Sequence, residues 1–245
     1  MTEEAVTSQV VTSQVVGGLD GCAAGWVLAT APADGPVAGA IDVTVIADLD
    51  AVLAALESGR MAAAAIDIPI GLPPRGPRAC DTEARRLLGP RRSSVFPAPA
   101  RRVLGAPAYG DACDLSRRAC GRAVSKQLFN ILPKVREVDR LQSPRLQARL
   151  FEMHPEFSFA VLTGAPMRSN KRTADGWAER VSALWSAFGD VGDLLLLAPP
   201  PAGAKRDDVL DAMVGAWTAR RYVAGAHLAL GGEFDERGLR MEIIA

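Results

Sequence analysis

The sequence predicts an α/β domain built on a mixed sheet, and three observations predict it. Two short apolar runs, residues 15–19 and 25–31, flank the turn Asp20-Gly21-Cys22-Ala23-Ala24 and read as a β-hairpin. A third run, residues 41–47, alternates like a strand. It leads into a helical pattern over residues 48–59, with Leu49, Val52, Leu53 and Leu56 at helical spacing and Gly59 as a stop. The chain then passes through an apolar run from residue 61 that is closed by Pro69 and Pro73, the form of a central parallel strand.

The size and composition suit one such domain. The chain has 245 residues, 49% of them hydrophobic, enough for a single large core. Its 28 basic and 28 acidic residues cancel, which excludes a uniformly basic nucleic-acid coat protein and a disordered acidic chain. The charge is unevenly placed, however. Residues 75–149 carry 17 Lys plus Arg against 6 Asp plus Glu, so a basic middle is set against acidic flanks.

Cys22, Cys80, Cys113 and Cys120 form no C-x-x-C pair and no zinc spacing with His154 and His227, which points to free thiols. The acidic, polar start has no signal-peptide character, and no apolar run approaches the roughly 20 residues needed to cross a bilayer, so a cytoplasmic protein with no membrane contact is expected.

Residues 1–14 contain the tandem copy Thr7-Ser8-Gln9-Val10-Val11 and Thr12-Ser13-Gln14-Val15-Val16. Only the second copy abuts the hairpin, so residues 1–14 are expected to be a disordered tail and residues 15–245 a single domain. From about residue 73 to 147, proline-fixed loops alternate with helices expected near residues 81–88, 111–120 and 125–141, the last broken or kinked at Pro133. This stretch reads as a basic helical insertion over one end of the sheet. A further strand is expected within residues 146–153. Pro155 then opens a helix, a second apolar-faced helix covers residues 177–188, and a last long one runs from residue 206 to about 224. On that last helix Asp208 and Asp211 share a face with Ala212, Gly215 and Ala219, a small-residue stripe that lets the helix lie close on a sheet, while Asp207 complements the helix dipole.

Familiar cofactor motifs are missing. The glycines fit neither G-x-G-x-x-G nor a P-loop, and there is no nucleophile-elbow serine, H-E-x-x-H or EF-hand loop. What remains is a set of acids: Asp20 in the hairpin, Asp67 in an apolar strand, Glu152 on a later strand, and Asp208 with Asp211 on the last helix. Asp20 taken singly could serve only its turn, and Asp67 could cap the loop after its strand. Taken together they are hard oxygen ligands of the kind that hold Mg²⁺ or Mn²⁺. Glu152, His154 and Glu156 cluster at a strand-to-helix junction, where they could act as ligand, water-activating base or orienting groups.

The order of elements resembles the ribonuclease H-like fold: a mixed five-stranded sheet flanked by helices, with the helical insertion between the fourth and fifth strands. The Asp208-Val209-Leu210-Asp211 pattern is similar to that of RuvC-type resolvases. More closely, several blocks in order resemble the domain-of-unknown-function family 429, whose members are expected nucleases. These blocks are Asp20-Gly21-Cys22-Ala23-Ala24-Gly25-Trp26, Asp67-Ile68-Pro69-Ile70-Gly71-Leu72, Arg92-Ser93-Ser94-Val95-Phe96, Ser125-Lys126-Gln127, Pro133-Lys134-Val135-Arg136-Glu137-Val138-Asp139, His154-Pro155-Glu156 and residues 208–212. The resemblance implies that Asp20, Asp67, Asp208 and Asp211 hold metal. Glu57 sits too near its helix's end to supply the first-helix acid of ribonuclease H proper.

The expected function is therefore metal-dependent hydrolysis of nucleic acid, with Asp20, Asp67, Asp208, Asp211 and Glu152 as catalytic acids. Arg92, Ser125, Lys126, His154, Glu156 and Lys171 are the expected substrate contacts, lidding the acids with opposing charge. Two alternatives carry different chemistry. An ATPase of the actin and sugar-kinase type would want a hydroxyl residue where Cys22-Ala23-Ala24 stands, and a non-catalytic nucleic-acid-binding module would use the basic insertion alone.

Overall fold

The computed structural model describes residues 14–37 and 39–245. The expected tail thus lies outside the described residues except for Gln14, which already joins the fold. Its amide donates to the Gly59 carbonyl at 2.7 Å, and its carbonyl accepts from Ala33 N at 2.8 Å.

Strand β1 (Val15–Cys22) turns through Ala23 and Ala24 into β2 (Gly25–Pro32), and the antiparallel register pairs Asp20 with Val27 and Cys22 with Gly25. β3 (Asp42–Ile46) adds antiparallel to β2. Helix α1 (Asp50–Glu57) buries Val52 and Leu56 and delivers the chain to β4 (Met61–Ile66), which runs parallel to β1. β5 (Leu150–Glu152) lies parallel to β4, so the sheet order is β3-β2-β1-β4-β5. β2 alone runs against the other four strands.

The chain between β4 and β5 is helical: α2 (Ala79–Leu88), a 3-10 turn (Gly89–Ser94), a second such turn (Arg101–Gly105), α3 (Tyr109–Cys120), α4 (Lys126–Leu141) and the short α5 (Pro144–Gln147). Two details refine the expectation here. Of the two alternatives at Pro133 the break does not occur: helix α4 continues through it, its buried face of Leu128, Leu132, Val135 and Val138 holding it while proline removes only one backbone bond. The fifth strand is also shorter than residues 146–153, because Ser143 caps a helical turn opened by Pro144, its hydroxyl accepting from Leu146 N at 3.1 Å.

After β5 come α6 (Pro155–Thr163), α7 (Ala174–Phe188) and α8 (Arg206–Val223). Helix α8 lies along β1, β2 and β4, and the contact is backbone to backbone. A side-chain carbon on Gly18 would run into the α8 main chain at Ala212, Gly215 and Ala216, and one built on Gly215 would stand 3.0 Å from the Gly18 Cα. The stripe Ala212, Gly215 and Ala219 is buried as the sequence indicates.

The chain closes with an unanticipated two-stranded sheet, β6 (Ala229–Phe234) with β7 (Arg240–Ile244), bulged between Gly231 and Glu233. It extends the structure past β5 through a bridge from Met153 to Ile244. Gly231, at φ 83°, packs against Cys80 of α2, where a side chain would not fit. No described helix is long and apolar enough to cross a membrane.

Candidate functional site

Alternation along the strands decides which face each acid takes. On β1, Val16, Gly18 and Asp20 point towards α8, and Leu19 points to the opposite core. On β4, Ala63 and Ala65 share the α8 face, so Asp67, the next in that series, shares it too. The ends of the two strands are tied together, Leu19 beside Ile66 and Asp67 N donating to the Leu19 carbonyl at 3.0 Å. Asp211 comes to the same place from α8, one helical turn before the glycine that touches β1.

The electrostatics follow from this crowding. Burial raises Asp20 well above the ordinary aspartate value, and the negative charges of Asp211 and Asp67 raise it further. Burial pushes Asp67 up to about 6 against the opposing pull of His154. Burial likewise raises Asp211, with Lys171 acting against it. Lys171 is the cation inside the group. Its ammonium is ion-paired to Asp211 and stands 3.8 Å from Asp207, and although burial disfavours its charge, Asp211, Asp20 and Asp67 together hold it above the ordinary lysine range. Among the described residues neither the Asp20 nor the Asp67 carboxylate receives a hydrogen bond from a protein donor.

Glu152 sits on the other face. It follows Phe151, which packs towards α8, so its own side chain turns towards the α1 side and meets Arg78. Both guanidinium Nη atoms reach its carboxylate at 2.6 Å, and Ile70 N adds a third bond at 2.7 Å. Arg78 also binds Asp81 at 2.6 Å and the Ile70 carbonyl at 3.0 Å, while the second Asp81 oxygen accepts from Ala98 N at 2.8 Å. Burial raises the Glu152 carboxyl while Arg78 pulls against it, and the two acids hold Arg78 charged, well above the ordinary arginine value. This knot fixes the loop after β4 to β5 and to the start of α2.

At the β5–α6 junction, Glu156 binds Arg180 at 2.5 Å and Arg91 at 3.5 Å, and its second oxygen is buried without a partner. The His154 Nε2 lies 3.3 Å from the Ser94 carbonyl, and its Nδ1 has no partner either.

These groups line one cleft of ≈ 600 Å³, with Asp20, Asp67 and Asp211 on one side and Arg91, Lys134 and Lys171 among the cations around it. Glu152, His154 and Glu156 reach the same cleft. Four residues marked by the sequence are not among those lining it. Asp208 accepts from Lys205 N at 2.8 Å and so caps its own helix. Ser125 caps α4 by accepting from Leu128 N at 3.0 Å. Lys126 lies over the Tyr109 ring, 3.9 Å from its centre. Arg92 faces a neighbouring depression.

Sequence reasoning missed Arg78, Arg180, Arg91 and Lys134 as site residues. Lys134 had a signal, since it stands in a recognised block. It donates to the Gly25 carbonyl and lies 4.2 Å from the Trp26 ring centre, gripping the hairpin turn beside Asp20. Arg78 and Arg180 had none, because nothing local in the sequence tells an arginine that will be fully buried from one on the surface.

In donor type and charge the acids fit a divalent cation. They are hard oxygens, two of them lack protein donors, and Asp211 raises the proton affinity of both Asp20 and Asp67, a cost that a bound cation relieves. As they stand, no group of three or more such side chains among the described residues is closed around one point, and Lys171 occupies an oxygen of Asp211. No curated protein and no solved structure matches the chain. A family model does, over residues 18–236, which span β1 to the β6–β7 hairpin and include every group of the cleft except Ile243. The chain therefore belongs to the family described as Protein of unknown function (DUF429).

Proposed function

We propose that this chain is a metal-dependent nuclease of ribonuclease H-like fold, hydrolysing phosphodiester bonds of DNA or RNA. The fold reading is supported by the strand order, by β2 as the one reversed strand, and by a helical cover between β4 and β5 that reads as an insertion. The activity rests above all on one observation: Asp20, Asp67 and Asp211 meet in a cleft, and two of them have no protein donor. These three would hold Mg²⁺ or Mn²⁺, while Asp208, engaged in capping α8 a turn away, adds negative charge nearby. Such an ion supplies positive charge for the attacked phosphate and acidifies a bound water.

The remaining roles belong to side chains of the chain itself. Lys171 keeps a positive charge among the acids, and Arg91 offers a second beside the cleft for an incoming phosphate. His154 turns Nε2 to the Ser94 carbonyl and leaves Nδ1 free of partners, the atom that would accept a proton in the cleft. Glu156 orients Arg91 and Arg180, and Glu152 is a positioning residue acting through Arg78. The test is incubation of purified protein with Mg²⁺ or Mn²⁺ and a panel of single strands, duplexes, hybrids and junctions. Cleavage is expected that EDTA and Asp20→Asn both abolish; no cleavage of any substrate, or equal cleavage by the variant, refutes the proposal.

A further inference from the structure

Beside the cleft lies a second, open depression of ≈ 500 Å³ whose lining includes Arg85, Arg86, Arg92 and Arg122. Its one acid, Asp81, is buried and already bonded to Arg78 and to the Ala98 amide. None of the four arginines has an ion-pair partner among the described residues. Arg85 is steadied by bonds to the Arg92 and Val95 carbonyls at 3.0 and 2.6 Å, while Arg86, Arg92 and Arg122 are exposed. Like charges gathered without counter-ions repel one another, so the arrangement favours an external polyanion.

The 3-10 turn Gly89–Ser94 is the wall between the two hollows. Its consecutive arginines part company, Arg91 lining the cleft and Arg92 the depression, and Asp81 borders both. We infer that the arginine depression is a second contact for a nucleic-acid backbone, holding phosphates of the same strand beside those at the carboxylates. The inference names the polymer for which the cleft is proposed and to that extent rests on that reading, but it concerns binding and not cleavage.

Binding is therefore measured without divalent ions. Asp20→Asn protein in EDTA is titrated with a labelled 20-mer, single-stranded and duplex, across a salt series, and compared with the same protein carrying Arg86→Ala, Arg92→Ala and Arg122→Ala. Each lost duplex phosphate contact lowers the slope of log affinity against log salt by about 0.9, so a fall of about 2 to 3 is expected, with binding weakened roughly tenfold or more at low salt. Arg86→Glu with Arg122→Glu should weaken it further, and thermal melting verifies that both variants are folded. Unchanged slope and affinity overturn the inference, as does binding to phosphatidylserine vesicles in place of either oligonucleotide. Intact binding in EDTA with no cleavage in Mg²⁺ or Mn²⁺ refutes only the nuclease reading.

Discussion

Replacing Asp67 with asparagine should stabilise the metal-free protein, and by an amount that depends on pH. Burial pushes this carboxyl up to about 6, whereas in the unfolded chain it titrates at about 3.9. Between those values the folded protein keeps a proton that the unfolded chain has released. Unfolding therefore releases a proton, and rising pH favours it. The wild type loses stability from about pH 4 to pH 6 and does not regain it above. At 1.36 kcal/mol per pH unit, a displacement of about 2 units is worth about 3 kcal/mol. Asp67→Asn escapes the loss, so its advantage should grow from near zero at pH 4 to about 3 kcal/mol at pH 7.5. Urea unfolding in EDTA, followed by the fluorescence of the 4 tryptophans at a series of pH values, measures the difference. Added Mg²⁺ should then favour the wild type at pH 7.5 and leave the variant little changed. A gap that stays constant from pH 4 to 7.5, or a variant less stable throughout, would show that Asp67 is not desolvated as described.

Other perturbations separate structural from site roles. Arg78→Met leaves Glu152 and Asp81 buried without their cation and should cost about 3 to 5 kcal/mol by denaturant titration; a cost below about 1 kcal/mol would dismiss the knot as a fastening. Gly18→Ala must push α8 off the sheet, so we expect a stability loss of about 1 to 3 kcal/mol together with weaker Mn²⁺ binding by calorimetry, whereas wild-type behaviour would contradict the close contact. Lys171→Met frees an oxygen of Asp211 and removes the resident cation, and should tighten Mn²⁺ binding several-fold while weakening oligonucleotide binding. Weaker Mn²⁺ binding would mean that Lys171 supports the site rather than competing at it.

Much of the scaffold was legible because it rests on period. The hairpin, the apolar β4 and the small-residue stripe of α8 each carry a pattern of spacing that survives without knowledge of neighbours. The same patterns mark Asp20, Asp67 and the pair Asp208 and Asp211, but they do not tell that Asp208 caps its own helix while Asp211 enters the cleft. Glu152 shows where such reading stops. Its strand is only three residues long, so which face it takes depends on how β5 sits against β4 and not on any local periodicity. The 3-10 turn is similar, since Arg91 and Arg92 are adjacent in sequence yet line different hollows. The β6–β7 hairpin was hidden by its glycines: Ala-Leu-Gly-Gly-Glu-Phe alternates too poorly to announce a strand and forms one only with a bulge against β7.

The ion cluster around Arg78 has a consequence for assembly. A three-residue strand has too few ladder bonds to choose its own alignment, and a slip by one residue would turn Glu152 to the opposite face. That slip would strand a guanidinium in the interior with no partner at β5, a penalty far larger than the loss of a backbone bond. The pair thus acts as a key that accepts one alignment of the last sheet strand and rejects its neighbours. Its two halves are 74 residues apart, with the whole helical segment looped between them. Closing this wall of the cleft therefore carries a larger loop-closure cost than closing the local β1–β2 hairpin.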